Sequence, residues 1–239
     1  MSAKTTVMVI APTPAEYLGV RRLEKLKTEH LLIHVLESGP GKINAAMKAA
    51  EGIQDLKPGC PSLIIAGVGT SGSLSLAPKA GDVVASVETV IADWMHEDGK
   101  ESLVGPYGVF DYARPDNDRV RRMLIREEDP LLTGFVGGLG KHGFLEGRIL
   151  TSDCFVSGKE HKLALGGTYG AMVCDMESGA FAYTAKRRGV RFFNLRIVAD
   201  TLDETLENYF EKESDVTARL GDKAAEAMGV LDRLLGQSQ

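Results

Sequence analysis

Glu177 and Asp200 are the two residues from which this chain is best read for chemistry, because each acid stands where an apolar run ends. Met172, Val173 and Cys174 precede Asp175-Met176-Glu177, and Phe192 to Val198 precede Ala199-Asp200. Loops at the carboxyl ends of parallel strands converge on one crevice, so carboxylates placed this way can face one pocket. Paired acids of that kind suit proton transfer and the stabilisation of positive charge. The competing reading has Glu177 charging a helix N-terminus and Asp200 opening a loop. Glu16 is a third acid at a strand end, just past Thr5–Ala11, where it also suits a helix dipole. His96, beside Glu97 and Asp98, invites a metal or acid–base role, but its surroundings read as an exposed loop.

The elements that must hold these acids follow from spacing. Met176, Ala180, Phe181 and Ala185 recur at helical intervals, and Lys186, Arg187 and Arg188 complement the helix C-terminus before Gly189 stops it. Residues 192–198 form a buried strand interrupted by Asn194 and Arg196. Near the start, TTVMVIA is a strand apolar enough to be covered on both faces, and Thr13 caps a helix with Pro14 in its first turn. A second strand, 31–36, leads through Ser38-Gly39-Pro40-Gly41-Lys42 into a helix around 43–50; that glycine loop is friendly to anions but is no Walker motif. A third strand, 62–66, is followed by a loop at 67–74 whose glycines admit close backbone approach. Residues 83–91 read as one long strand, 100–140 as irregular, 148–151 as a strand, and 213–235 as an amphipathic closing helix.

Size and composition fit one domain spanning 1–239. A net charge of −5 lacks the basic footprint of a nucleic-acid binder. Cys60, Cys154 and Cys174 cannot all pair and have no metal-ligand spacing, so a reducing compartment and no metal or cofactor are expected. Residues 1–4 run directly into an apolar strand, without the pattern of a signal peptide or a membrane span. The expectation is a soluble, cytoplasmic protein.

Asp175-Met176-Glu177-Ser178, a helix, and then Leu195-Arg196-Ile197-Val198-Ala199-Asp200 resemble the closing motif of the nucleoside phosphorylase/nucleosidase superfamily, and most nearly its methylthioadenosine/S-adenosylhomocysteine nucleosidase type. Ser38–Lys42, the glycine stretch 67–74, and Phe155-Val156 match further segments of that family. The resemblance covers most of the chain and thins between 92 and 145. It implies an α/β fold, a single-domain three-layer αβα sandwich around a mixed, partly barrel-like sheet, and a homo-oligomer, dimer or larger.

The same resemblance implies roles. Thr70, Ser71 and Gly72 would line the ribose and nucleophile pocket, Met176 would pack beneath the sugar, and Glu177 would bind its hydroxyls. Phe155 would stack on the base and Val156 would offer backbone hydrogen bonds. Asp200 would protonate the leaving purine, with its acidity set by desolvation or a nearby carboxylate, and Glu16 would activate water. Arg196 would orient the acids or bind an anion; a structural ion pair is the alternative. Cleavage of an N-glycosidic bond passes through an oxocarbenium-like ribose, which negative charge stabilises. Two features depart from the family's patterns. Ala199 stands where the nucleosidases usually carry a serine, and Lys159 and His161 replace the glutamine and arginine that read uracil in uridine phosphorylases. Pro12-Thr13-Pro14-Ala15-Glu16 brings an acid where phosphorylases bring an arginine, which favours water over phosphate as nucleophile. A phosphate-dependent purine nucleoside phosphorylase and a nucleoside-binding protein without turnover are the alternatives.

Overall fold

Every side chain of the first strand, β1 (Thr5–Ala11), is buried, which requires cover on both faces of the sheet it enters. The computed structural model describes residues 4–60, 62–92, 124–203 and 206–237, with backbone only for 206–214. β1 lies parallel between β2 (Leu31–Glu37) and β3 (Leu63–Ser73). β3 in turn pairs in parallel with β10 (Arg191–Asp200). The remaining strands are β4 (Val83–Ser86), β5 (Glu88–Ile91), β6 (Leu124–Arg126), β7 (Leu145–Glu146), β8 (Ile149–Thr151) and β9 (Val173–Asp175). They complete one ten-stranded mixed sheet.

Residues 83–91, expected as one strand, are two, β4 and β5, separated by a bend at Val87. The first half pairs with β10 and the second with β8, while β8 pairs with β9 and β9 with β3. One kinked stretch therefore joins both ends of a strand circuit, and the sheet curls into the expected partial barrel. Val84, Ile149, Val173 and Val198, one from each of four strands, fill its interior.

Helices cover the two faces. On one side α1 (Pro14–Val20), α3 (Pro130–Gly138) and α6 (Leu206–Gln237) pack with Val9, Ile64, Phe193 and Leu195. On the other, α2 (Lys42–Leu56) and α5 (Ser178–Arg187) pack with Met8, Ile10, Ile65 and Phe192. Alternate residues of β1 and β10 thus serve opposite layers, and the αβα sandwich follows from that two-sided burial.

Several expectations are corrected. Residues 67–73 are strand and not loop, and β10 runs unbroken through Asn194 and Arg196. The glycines of β3 explain both. Gly67, Gly69 and Gly72 lie opposite Asn194, Arg196 and Asp200, and a Cβ on any of the three would collide with the side chain it faces. The bare strand makes room for long polar groups on its neighbour. Residues 124–126 form a strand and Pro130–Gly138 a helix, capped by Asp129, within the stretch expected to be irregular. The helix expected from Met176 begins at Ser178, and the closing helix begins at Leu206. α4 (Lys159–Tyr169) lies between β8 and β9. The reading of His96 and its neighbours falls outside the described residues.

Candidate active site

The corner that places Glu16 is built from two local signals. Thr13 Oγ1 accepts from the Glu16 N–H at 3.2 Å, and Glu16 Oε2 accepts from the Thr13 N–H at 2.9 Å, closing a capping box. The other oxygen, Oε1, accepts from the Thr70 N–H at 2.6 Å and from Thr70 Oγ1 at 2.8 Å. Glu16 is therefore both helix cap and pocket residue, so the two readings of it are compatible. The carboxylate is buried against the end of β3, with Thr70 beside it.

Glu177 caps α5 by position, and its Oε1 accepts from the Gly41 N–H at 2.8 Å. Gly41 holds φ +85°, a left-handed conformation that suits glycine. Asp153 Oδ1 accepts from the next amide, that of Lys42, at 2.9 Å. The anion-friendly N-terminus of α2 is thus served by two of the protein's own carboxylates. Burial, together with Asp175 and Glu16, pushes the Glu177 carboxyl up from 4.5 to about 8, against the opposing pull of Arg196 and the Gly41 amide.

Arg196 is fully buried behind these acids. Its Nε lies 2.7 Å from Asp175 Oδ2 and donates to Ser178 Oγ at 2.9 Å, and its Nη1 lies 3.9 Å from Glu177 Oε2. Among the described residues neither Nη1 nor Nη2 has a hydrogen-bond partner. A Cβ on Gly69 would touch both Arg196 Nη1 and Glu16 Oε1, so the guanidinium and the Glu16 carboxylate meet over that glycine. Asp175 is fixed by Thr151 Oγ1 and the Ser178 N–H, at 2.7 and 3.0 Å.

Asp200, expected to be tuned by desolvation or a nearby carboxylate, ends β10 buried and with a cation beside it. Lys162 Nζ lies 2.6 Å from Asp200 Oδ2 and donates to the Thr201 carbonyl at 2.7 Å. Beside them Cys174 remains a thiol, pushed up to about 12 by burial and by the charges of Asp200 and Asp175.

These groups surround one cavity of about 300 Å³. Glu16, Thr70, Ser71, Gly72, Phe155, Val156, Met176, Glu177 and Asp200, all anticipated from sequence, line it. Ser71 donates its hydroxyl to the Ile197 carbonyl at 3.3 Å. Phe155 is 38 % exposed, while Val156 is buried. Arg196 stands behind the lining and joins it through Asp175 and Glu177. Sequence reasoning gave no role to Pro40, Cys174, Asp175 or Lys162. Lys162 carried one usable signal: with Gly166 and Tyr169 it forms the buried face of α4, a position where helical spacing asks for an apolar residue. Lys159 and His161 are exposed, and Lys159 pairs with Asp203. Among the described residues no cluster of His, Cys, Asp or Glu could hold a metal, and no helix is long and apolar enough to cross a membrane.

A barrel-curled sheet between two helical layers, with acids at its strand ends around one cavity, is the architecture of a superfamily to which this chain belongs: it matches the Phosphorylase superfamily over residues 17–235. Within it the chain is similar to 5'-methylthioadenosine/S-adenosylhomocysteine nucleosidases. That of an Exiguobacterium species is 26 % identical over 185 residues, covering 77 % of this chain and 73 % of the relative. That of Staphylococcus aureus strain MRSA252 is 26 % identical over 203 residues, covering 81 % and 79 %. Among solved structures, a point mutant of the Helicobacter pylori nucleosidase with 5'-methylthioadenosine in its active site superposes with a TM-score of 0.73 at 19 % identity, over 96 % of this chain and 99 % of that one. Futalosine hydrolase of Helicobacter pylori superposes at 0.71 and 18 % identity, over 95 % and 97 %.

Proposed function

We propose that this protein is a purine nucleosidase that uses water to cleave the N-glycosidic bond of an adenosine-type nucleoside related to methylthioadenosine or S-adenosylhomocysteine. The observation that carries the reading is the buried Glu16 carboxylate, which lines the cavity beside Thr70 and puts an acid where a phosphate would need cations. A water in the cavity beside Thr70 has an acceptor in Glu16. A phosphate would meet a carboxylate instead, and Arg196 is already engaged with Asp175. The nucleosidase relatives support the same reading.

Water attacks the anomeric carbon and loses a proton to Glu16 as the bond to the base breaks. Glu177 accepts from the ribose hydroxyls, with Met176 under the sugar, and its ionised form stabilises the oxocarbenium-like ring. Phe155 stacks on the purine and Val156 supplies backbone contacts. Asp200 gives a proton to the departing base. The acids balance: one proton is taken from water and one is given to the purine. We also infer a homo-oligomer, to which the exposed Ile43 and Met47, one turn apart on α2, would contribute.

The test is release of free base from methylthioadenosine, with and without phosphate, followed by liquid chromatography. Adenine without phosphate is expected. Release only with phosphate, as a sugar 1-phosphate, would make the protein a phosphorylase. Thermal stabilisation by nucleosides with no product from any of them would make it a binding protein.

A further inference from the structure

Lys162 is a buried cation that stands behind Asp200, outside the cavity lining, and the mechanism above leaves it unused. It projects from the first turns of α4, its side chain is fully buried, and two of its protons are committed to Asp200 Oδ2 and the Thr201 carbonyl. A buried lysine is costly unless it is paired, so this site is built for the pair and not for packing. The Lys159–Asp203 ion pair, at 3.1 Å, joins the same helix to the same turn on the exposed side. From β9, Cys174 lies within the charge of Asp200, Asp175 and Lys162. Cys174 is held as a thiol, and Asp175 is already engaged with Arg196, Thr151 and Ser178.

Resting on the nucleosidase reading, we propose that Lys162 is a positioning residue for the acid step: it fixes Asp200 by Oδ2 and stabilises the carboxylate left when Asp200 passes its proton to the departing purine. The balance is simple. The O–H bond of Asp200 breaks, the N–H bond of the base forms, and the electron pair stays on a carboxylate that faces an ammonium. After the base leaves, Asp200 regains a proton from solvent. Lys162 keeps its own proton throughout. An acid whose conjugate base is stabilised in this way is a stronger donor, at the cost of holding its proton over a narrower range of pH.

The experiment measures kcat and KM for methylthioadenosine hydrolysis across pH in the wild type, Lys162→Met and Lys162→Arg. Lys162→Met is expected to move the alkaline limb of kcat/KM up by about one pH unit or more and to lower the plateau of kcat about 10- to 100-fold, with KM changed less than about threefold. Lys162→Arg keeps the charge and should leave the limb within about 0.3 pH unit of wild type. If Lys162→Met does not fold, Lys162→Gln, which retains a donor but no charge, carries the same expectation. A neutral variant whose profile is lowered evenly with its limb unmoved would make Lys162 merely structural and overturn the proposal. So would an arginine variant shifted as far as the neutral ones. Wild type that releases no base from any nucleoside would overturn the functional reading, and this inference with it.

Discussion

Glu177 shows how a single side chain can tie the pocket to the stability of the fold. Its carboxyl holds a proton to about 8 because burial and two neighbouring acids outweigh Arg196 and one amide. A carboxyl raised in the folded state above its unfolded value contributes stability that is complete below the unfolded value and is lost as pH rises through the folded one. The melting temperature of the empty protein should therefore fall between about pH 5 and about pH 8, and Glu177→Gln should remove most of that slope in calorimetry. Identical slopes in both proteins would overturn this. The same variant should reduce hydrolysis about 100-fold or more, since an amide cannot ionise against a cationic sugar. At this scale the sequence was informative wherever an acid ended an apolar run. For Lys162 its only signal was helical spacing, which stays ambiguous because a lysine reads as solvated until its face is known to be inward.

Elements were legible where periodicity and caps agreed. β1, the Thr13 cap, α5 and β10 were placed within a few residues, since their apolar spacing and breakers point the same way. The glycine stretch of β3 was not, because glycine ordinarily marks a break in a strand, and only the partner strand reveals what fills the space. That argument predicts opposite outcomes for two identical substitutions. Gly69→Ala drives a methyl into Arg196 and Glu16 and should cost about 1–3 kcal/mol in urea denaturation, with loss of hydrolysis. Gly134→Ala, in α3 with open space around it, should stabilise by about 0.5–1 kcal/mol. Equal effects would remove the steric account of β3.

The whole molecule shows why the family resemblance reached further than local patterns did. The cavity draws on residues from Pro12 to Asp200, brought together by strand ends that only the complete sheet aligns. The break of 83–91 into two strands was invisible locally, since Val87 looks like its neighbours and the kink is imposed by pairing with β10 on one side and β8 on the other. Ile43, 75 % exposed, and Met47, 58 % exposed, lie on one face of α2. Sedimentation velocity should find a dimer or larger, and a monomer independent of concentration would refute the inferred assembly.

The Gly41 amide gives this protein a built-in gauge. Its N–H ends on the carboxylate proposed to meet the sugar, so whatever titrates or occupies that carboxylate must alter the electric field at one known backbone nitrogen. With isotope-labelled glycine, and the Gly41 signal assigned among those of the 27 glycines, that nitrogen becomes a resonance that reports occupancy in solution, without turnover or dye.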